Sequence, residues 1–338
     1  MNKKLIAVAI AAAVAAPAAM ANDTTLYGKV HMSINNVDAG ANDQWNVSNH
    51  SSRLGVKGSE DLGNGMKAIF KYEMSYSNVD SGTAIGSARN SYIGLAGDFG
   101  TFLVGRHDTP AKVAFYAAGN ERLGDSIIDL NSNFGFAEMR INNAIAYVSP
   151  NFSGFTVAAA IVPMEGAGAS TGGLADAVSV GAMYSGMGVK AGLGYTDTDD
   201  VLNNSTLLNA GASYTFGAFS IGGQYQETEF GGNEREAWAL TGAAGFGNNE
   251  FVVMYGETES DDNADTDTLG IALKHKLSKR TTAYAAYRAS DTNLGDNAPI
   301  AAGKAATPPV NLGSGNWWGN GGTVPGSDAF GIGMIHNF

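Results

Sequence analysis

The sequence predicts an all-β fold, a transmembrane antiparallel β-barrel of about sixteen strands. Three observations predict it. Apolar residues recur at every second position in runs of roughly ten residues. Short turns alternate with long connections. No apolar segment past Ala21 is long enough for a membrane-spanning helix.

The period of two is clearest in four runs. Leu26, Gly28, Val30, Met32 and Ile34 alternate with Tyr27, Lys29, His31, Ser33 and Asn35. Phe155, Val157, Ala159 and Ile161 alternate with Thr156, Ala158 and Ala160, and Val189, Ala191, Leu193 and Tyr195 with Lys190, Gly192 and Gly194. Leu208, Ala210, Ala212, Tyr214 and Phe216 alternate with Asn209, Gly211, Ser213 and Thr215. Successive strand side chains point to opposite faces, so each run offers one apolar face and one small or polar face. A tilted strand of about ten residues crosses a bilayer, and aromatic ends suit its interfaces.

The short connections carry hairpin chemistry. They fall at Glu60–Gly65, Gly97–Gly100, Pro150–Gly154, Ser185–Gly188, Phe216–Ala218, Phe246–Asn249 and Leu277–Arg280, rich in Gly, Asn, Asp and Ser. Longer connections are expected near 37–49, 80–87, 107–139, 163–175, 198–205, 228–235, 259–266 and 291–327. Seven short turns and eight long loops require sixteen strands. A soluble sandwich would share the alternation but not the steady exchange of short and long connections.

The first residues carry a targeting pattern. Lys3 and Lys4 precede the apolar run Leu5–Ala16, and Ala19-Met20-Ala21 reads as a cleavage site. Residues 1–21 are therefore expected to be a signal peptide and 22–338 the barrel. Cysteine is absent, so stability in an oxidising compartment must come from closed structure rather than disulfides. Removing Lys3 and Lys4 takes the formal charge from −12 to −14, which argues against a nucleic-acid partner. A mean hydropathy of −0.08 suits strands that face lipid on one side and water on the other.

The segments Leu26-Tyr27-Gly28-Lys29, Ser52-Arg53-Leu54-Gly55-Val56-Lys57-Gly58, Gly94-Leu95 and Gly105-Arg106, with the closing Phe338, resemble the general trimeric porins of Gram-negative bacteria. The resemblance covers essentially the whole chain after residue 21. It implies an outer-membrane barrel, a homotrimer, and a third long loop folded inward to narrow each pore. It also implies a transverse field between basic residues on the wall and acidic residues on that loop. Lys29, Arg53, Arg89 and Arg140 match the family's basic positions. Alternation supports Lys29 and Arg53 independently, because they lie on the face opposite Leu26, Val30, Leu54 and Val56. A cation facing lipid at mid-membrane would cost roughly 2–4 kcal/mol.

The acidic half is less well marked. The Pro-Glu-Phe-Gly-Gly-Asp motif of enterobacterial members is replaced here by Gly124-Asp125-Ser126-Ile127-Ile128-Asp129-Leu130-Asn131. Asp125 and Asp129 are the expected pair, flanking Ile127-Ile128 as an apolar anchor, with Glu121 next. Acidic runs at Asp197–Asp200 and Glu257–Asp267 are expected at the outer mouth. The resemblance implies passive diffusion of small hydrophilic solutes and ions, and these runs with the net charge predict a modest cation preference. A substrate-selective channel on the same barrel is the alternative, kept open by the loop aromatics Phe115, Tyr116, Phe134 and Phe136. Neither H-E-x-x-H nor G-x-S-x-G occurs, so no enzyme, cofactor or metal is implied. Outer-membrane lipid is the expected surrounding.

Overall fold

The structure, a computed structural model, describes residues 23–38, 43–76, 86–163, 173–198, 205–261, 265–293 and 328–338. Residues 1–21, expected as a leader, lie outside the described residues, as do most of the connections expected at 80–87, 163–175, 198–205 and 291–327.

The strands run β1 (Asp23–Asp38), β2 (Asp43–Asn49), β3 (Arg53–Gly63), β4 (Met66–Ser75), β5 (Ala88–Gly97) and β6 (Gly100–Asp108). Two helical pieces follow, α1 (Pro110–Ala117) and α2 (Leu130–Asn133). The chain continues with β7 (Arg140–Val148), β8 (Phe155–Val162), β9 (Ala177–Gly186), β10 (Val189–Asp197), β11 (Thr206–Phe216) and β12 (Phe219–Phe230). It closes with β13 (Asn233–Phe246), β14 (Asn249–Ser260), β15 (Asp265–Lys276), β16 (Thr281–Asn293) and β17 (Asp328–Asn337).

Every neighbouring pair is antiparallel, and the sheet closes on itself. β1 pairs with β17 from Lys29↔Asn337 to Asp38↔Asp328, and with β3 from Asp23↔Ser59 to Lys29↔Arg53. The far half of β1 pairs with β2, from Met32↔Asn49 to Asp38↔Asp43. β2 and β3 are thus one crossing strand, interrupted at His50–Ser52, where Ser51 has φ 49°. Counted this way the barrel has sixteen strands, and closure leaves no unpaired edge.

The loop boundaries differ from expectation at three places. Residues 43–49 are strand, not loop. The connections expected at 228–235 and 259–266 are shorter, because β12 to β15 run further than the lipid-facing pattern suggested. β12 and β13 are joined by Gly231 and Gly232 alone, with φ 63° and 87°, the two-residue turn that matches strand twist.

The outward face is apolar. Leu26 is 62% exposed and Ile221 61%, a pattern stable only if lipid covers it. Aromatic residues mark its two margins. Phe99, Phe102 and Tyr147 contact one another near the short turns, as do Tyr214, Phe216 and Phe219. Trp238 and Tyr255 meet at the other margin with ring centroids 5.7 Å apart. The buried apolar cluster lies inside the barrel. There the segment between β6 and β7 meets the inner wall.

Candidate functional site

The segment 109–139 is held against the wall by residues whose inward side chains suit contact with backbone. Thr109 caps α1 by accepting from the Lys112 N–H at 3.1 Å, and Pro110 opens the helix without a donor to lose. α1 lies on Gly181, Gly192 and Gly194 of β9 and β10. A Cβ at Gly192 would run into the Ala114 carbonyl, and one at Gly194 into Ala111. Ser179 Oγ accepts from the Ala111 N–H at 3.2 Å, and Asn209 donates to the Ala111 carbonyl at 3.2 Å. Further along, Ser213 donates to the Ala118 carbonyl at 2.6 Å, and Asn120 donates to the Gly223 carbonyl at 2.7 Å. Leu123, Ile128, Phe134 and Phe136 are then buried against Ala237, Ala239, Val252, Met254, Ala272 and Ala286 of β13–β16. Thr258 donates to the Phe134 carbonyl at 3.0 Å, and Gln226 to that of Ala137 at 3.0 Å. Ile127 and Ile128 do act as the apolar anchor.

The segment therefore covers the inner faces of β8 to β17. The inward faces of β1 and β3–β6 carry a cluster of charged residues instead. Lys29 Nζ pairs with Asp125 Oδ2 at 2.8 Å, the one contact between an expected wall base and an expected loop acid. Arg53 stands opposite Lys29 in the ladder. Lys57 and Lys71 flank the Tyr27 ring at 5.3 and 5.6 Å from its centroid. The Tyr27 hydroxyl donates to Glu73 at 2.8 Å, Arg89 Nε donates to the same carboxylate at 2.9 Å, and Lys71 lies 3.2 Å from it. Arg89 has the outward parity of Ser91 and Ile93. A register shift between Tyr72 and Met74 turns both Arg89 and Asn90 inward. Arg140 is buried, donating to Asp108 at 2.7 Å and to Asn90 at 2.8 Å. Lys112 lies 2.6 Å from Glu138 and 3.4 Å from Asp108.

All four expected bases thus face inward, with Arg140 enclosed in an ion-pair cluster. Of the three expected acids only Asp125 meets the wall. Burial acts to raise its pKa, but Lys29 and Arg53 outweigh this and hold it below the usual carboxylate range. Asp129 is 3% exposed. It caps α2, accepting from the Ser132 N–H at 2.7 Å and also from the Asp125 N–H. Burial, with Glu138 and Asp125 nearby, pushes it up to about 7. Glu121 accepts from the Leu130 N–H at 2.8 Å, and burial beside Asp129 holds it well above its ordinary value. These two carboxyls shape the segment's own backbone instead of facing the basic wall.

Three acids outside the expected set contact wall or segment cations: Glu73, unnamed from the sequence, and Asp108 and Glu138, placed in the third long loop but not chosen there. Glu73 shares the inward parity of Lys71 and was readable; Glu138 carried no local signal. A separate clamp, Arg122 and Lys274 on Glu250, ties the segment to β14 and β15, with Lys274 2.6 Å from Glu250. The acidic run Glu257–Asp267 is also placed differently from expectation, while residues 199 and 200 of the run Asp197–Asp200 lie outside the described residues. Glu227, Glu236 and Glu259 face one another across β12–β14, and Glu257, Asp267 and Asp291 across β14–β16. They share the outward face with Tyr225, Trp238 and Tyr255, so these carboxylates do not line the mouth.

The sequence profile of the Gram-negative porins matches residues 7–296. Outer membrane porin protein 32 of Delftia acidovorans is 32% identical over 323 residues, spanning 84% of this chain and 88% of that protein. Among solved structures, the anion-selective porin from Comamonas acidovorans superposes with a TM-score of 0.72 at 23% identity, covering 94% of this chain and all of that one. The trimer form of OmpT from Vibrio cholerae does so with a TM-score of 0.64 at 18% identity, over 94% of this chain and 100% of that chain. With the closed barrel and its ion-lined interior, these matches assign the molecule: the chain belongs to the Gram-negative porin family, outer-membrane barrels that work as passive channels and not as enzymes.

Proposed function

We propose that the chain is a general diffusion channel whose passage runs between the segment 109–139 and the charged inner faces of β1 and β3–β7, with a modest preference for anions. Small hydrophilic solutes and ions are its cargo. Homotrimers in outer-membrane lipid are its working form, a reading supported by the family and by the similar OmpT structure described as a trimer. Residues 1–21 are its leader. Lys29, Arg53 and Arg89 are the wall charges that a permeant ion meets, and Asp125 is the loop charge opposite them.

The sign of selectivity rests on one observation. Cations outnumber carboxylates on this side among the described residues, with Lys29, Arg53, Lys57, Lys67, Lys71, Arg89, Lys112 and Arg140 against Asp61, Glu73, Asp108, Asp125 and Glu138. The cation preference expected from the net charge does not carry over. Its described acidic surplus is on the outer surface of β12–β16, beyond the reach of the passage through about 8 Å of screening at physiological salt. The similar structure from Comamonas acidovorans is that of an anion-selective porin, in keeping with this sign. Reversal potentials across a potassium chloride gradient test the reading. A chloride-favouring potential is expected, and a potassium-favouring one at all salt concentrations would overturn it.

A further inference from the structure

The inner wall changes character on the short-turn side of α1. A cavity of about 680 Å³ opens there beneath the helix. Its lining is apolar and aromatic, with Ile69, Leu103 and Met183 pointing in from β4, β6 and β9 and Val113 on α1. Tyr92 and Tyr116 supply rings on either side. Val113 is 36% exposed and Tyr116 40%, so the surface is open to the bore. A passage for hydrated ions has no use for such a lining, because apolar surface offers a hydrated ion no partner. The volume lies in the range of small-molecule sites, roughly 300–1,000 Å³, which combine apolar walls with a few placed polar groups.

The polar groups decide the charge of the ligand. Lys190 lines the same cavity, and no carboxylate partner is found for it among the described residues. Its stem lies against Gly119, which faces it with φ 75°. The other charged group at the cavity is Asp108, already engaged by Lys112, Arg140 and Asn90. His107 directs its Nδ1 to the Asp108 carbonyl at 2.7 Å. The unpaired charge on offer is therefore positive.

We propose that this niche is a transient binding site for aromatic carboxylates. The ring seats on Leu103, Met183 and Val113, and the carboxylate meets Lys190. The proposal rests on the channel reading above and adds a solute class to it. A site of this kind concentrates amphipathic organic anions on the short-turn side of the passage. It must hold them weakly to pass them on.

Single-channel recording in potassium chloride, with additions to the short-turn side, tests it. Benzoate is the probe. Acetate has the charge without the ring, and benzylamine the ring with the opposite charge. Benzoate is expected to interrupt the current at a concentration about tenfold below acetate, with benzylamine weaker still. Val113→Ser, at an exposed helix position, should weaken the benzoate block about threefold and leave acetate alone. Lys190→Gln should weaken it about tenfold. Equal block by benzoate and acetate overturns the proposal, and so does a benzoate block unchanged in both variants. A chain that inserts but passes no potassium chloride current would instead sink the channel reading.

Discussion

The two arcs of the inner wall are built from different residues for different ends. From β8 to β17 most inward positions are Gly, Ala, Ser, Thr, Asn and Gln, with Val252, Met254 and a few charges such as Glu250 and Lys274 among them, and the segment 109–139 lies on them. From β1 to β7 the long inward side chains are mostly Lys, Arg, Glu and Asp, solvated or paired, with apolar exceptions such as Ile69 and Leu103 toward the short turns. The first arc behaves as one half of a protein core, the second as a channel lining. The difference teaches that lumen-facing does not mean water-facing. Small inward residues in this barrel mark where another piece of chain lies, and long charged ones mark where water runs.

If that division is right, stability and selectivity separate by arc. Phe134→Ala removes a ring buried against β13–β15, and such changes cost about 3–5 kcal/mol. The unfolding midpoint in detergent should fall, and conductance should rise as the segment loosens. Lys57→Ala, on the open arc, should move the midpoint by no more than about 0.5 kcal/mol. Equal midpoints for the two variants would erase the distinction.

The next effect is electrical. A unit charge about 7 Å from a permeant ion in a water-like dielectric is worth about 0.6 kcal/mol, about a threefold change in relative permeability before screening. Arg53→Ala combined with Arg89→Ala should therefore shift the reversal potential toward cations and widen the passage. Unchanged potential and conductance would remove both arginines from the path of the ion.

A smaller effect of opposite sign tests the acidic side. Asp125→Asn frees Lys29 and should move the reversal potential toward anions by about threefold or less. Asp129→Asn and Glu121→Gln should leave it in place, since neither carboxyl faces the bases. A shift in either of those two variants matching that of Asp125→Asn would return them to the passage.

How far all this was legible follows from periodicity. The alternation of β1 and β3 placed Lys29 and Arg53 inward without help, because nothing breaks the period between Leu26 and Ile34 or between Leu54 and Val56. Arg89 defeats a parity argument through the shifted register beside Met74, and its inward placement came from resemblance alone. Segment 109–139 has no period to read. There, carboxylates that cap a helix and carboxylates that face a base look alike in sequence, and Asp129 and Asp125 fall on opposite sides of that divide. Glu257 and Glu259 looked like loop because strands rarely carry such charge, and Glu227 and Glu236 bordered another expected loop. They are strand because these strands stand above the aromatic margin, where the outer face meets water and head groups, not lipid tails.

A last prediction is a pH dependence confined to the covered arc. Burial and the neighbouring carboxylates push Asp129 up to about 7 in the folded chain, from about 3.9 when unfolded. An acid whose folded value is raised leaves the unfolded state with fewer protons between the two values, so stability falls as pH rises from about 4 to about 7 and is level beyond. Amide exchange at Leu130–Asn133, corrected for its intrinsic pH dependence, should show protection weakening across that window. In Asp129→Asn, which keeps a capping side chain, the trend should flatten. Protection that strengthens with pH would mean the carboxyl is ionised in place.

The closing seam carries one consequence for engineering. The first and last strands meet between Lys29↔Asn337 and Asp38↔Asp328, and Asp125 and Ile127 sit across that junction, one on Lys29 and the other beside Gly331. The segment is therefore a clasp as well as a baffle. Trimming it to enlarge the bore also releases the fastening over the joint where the cylinder is sewn shut. Aperture and mechanical integrity are then one adjustable quantity, and a wider nanopore on this frame needs a replacement stitch between β1 and β17 before the segment is cut.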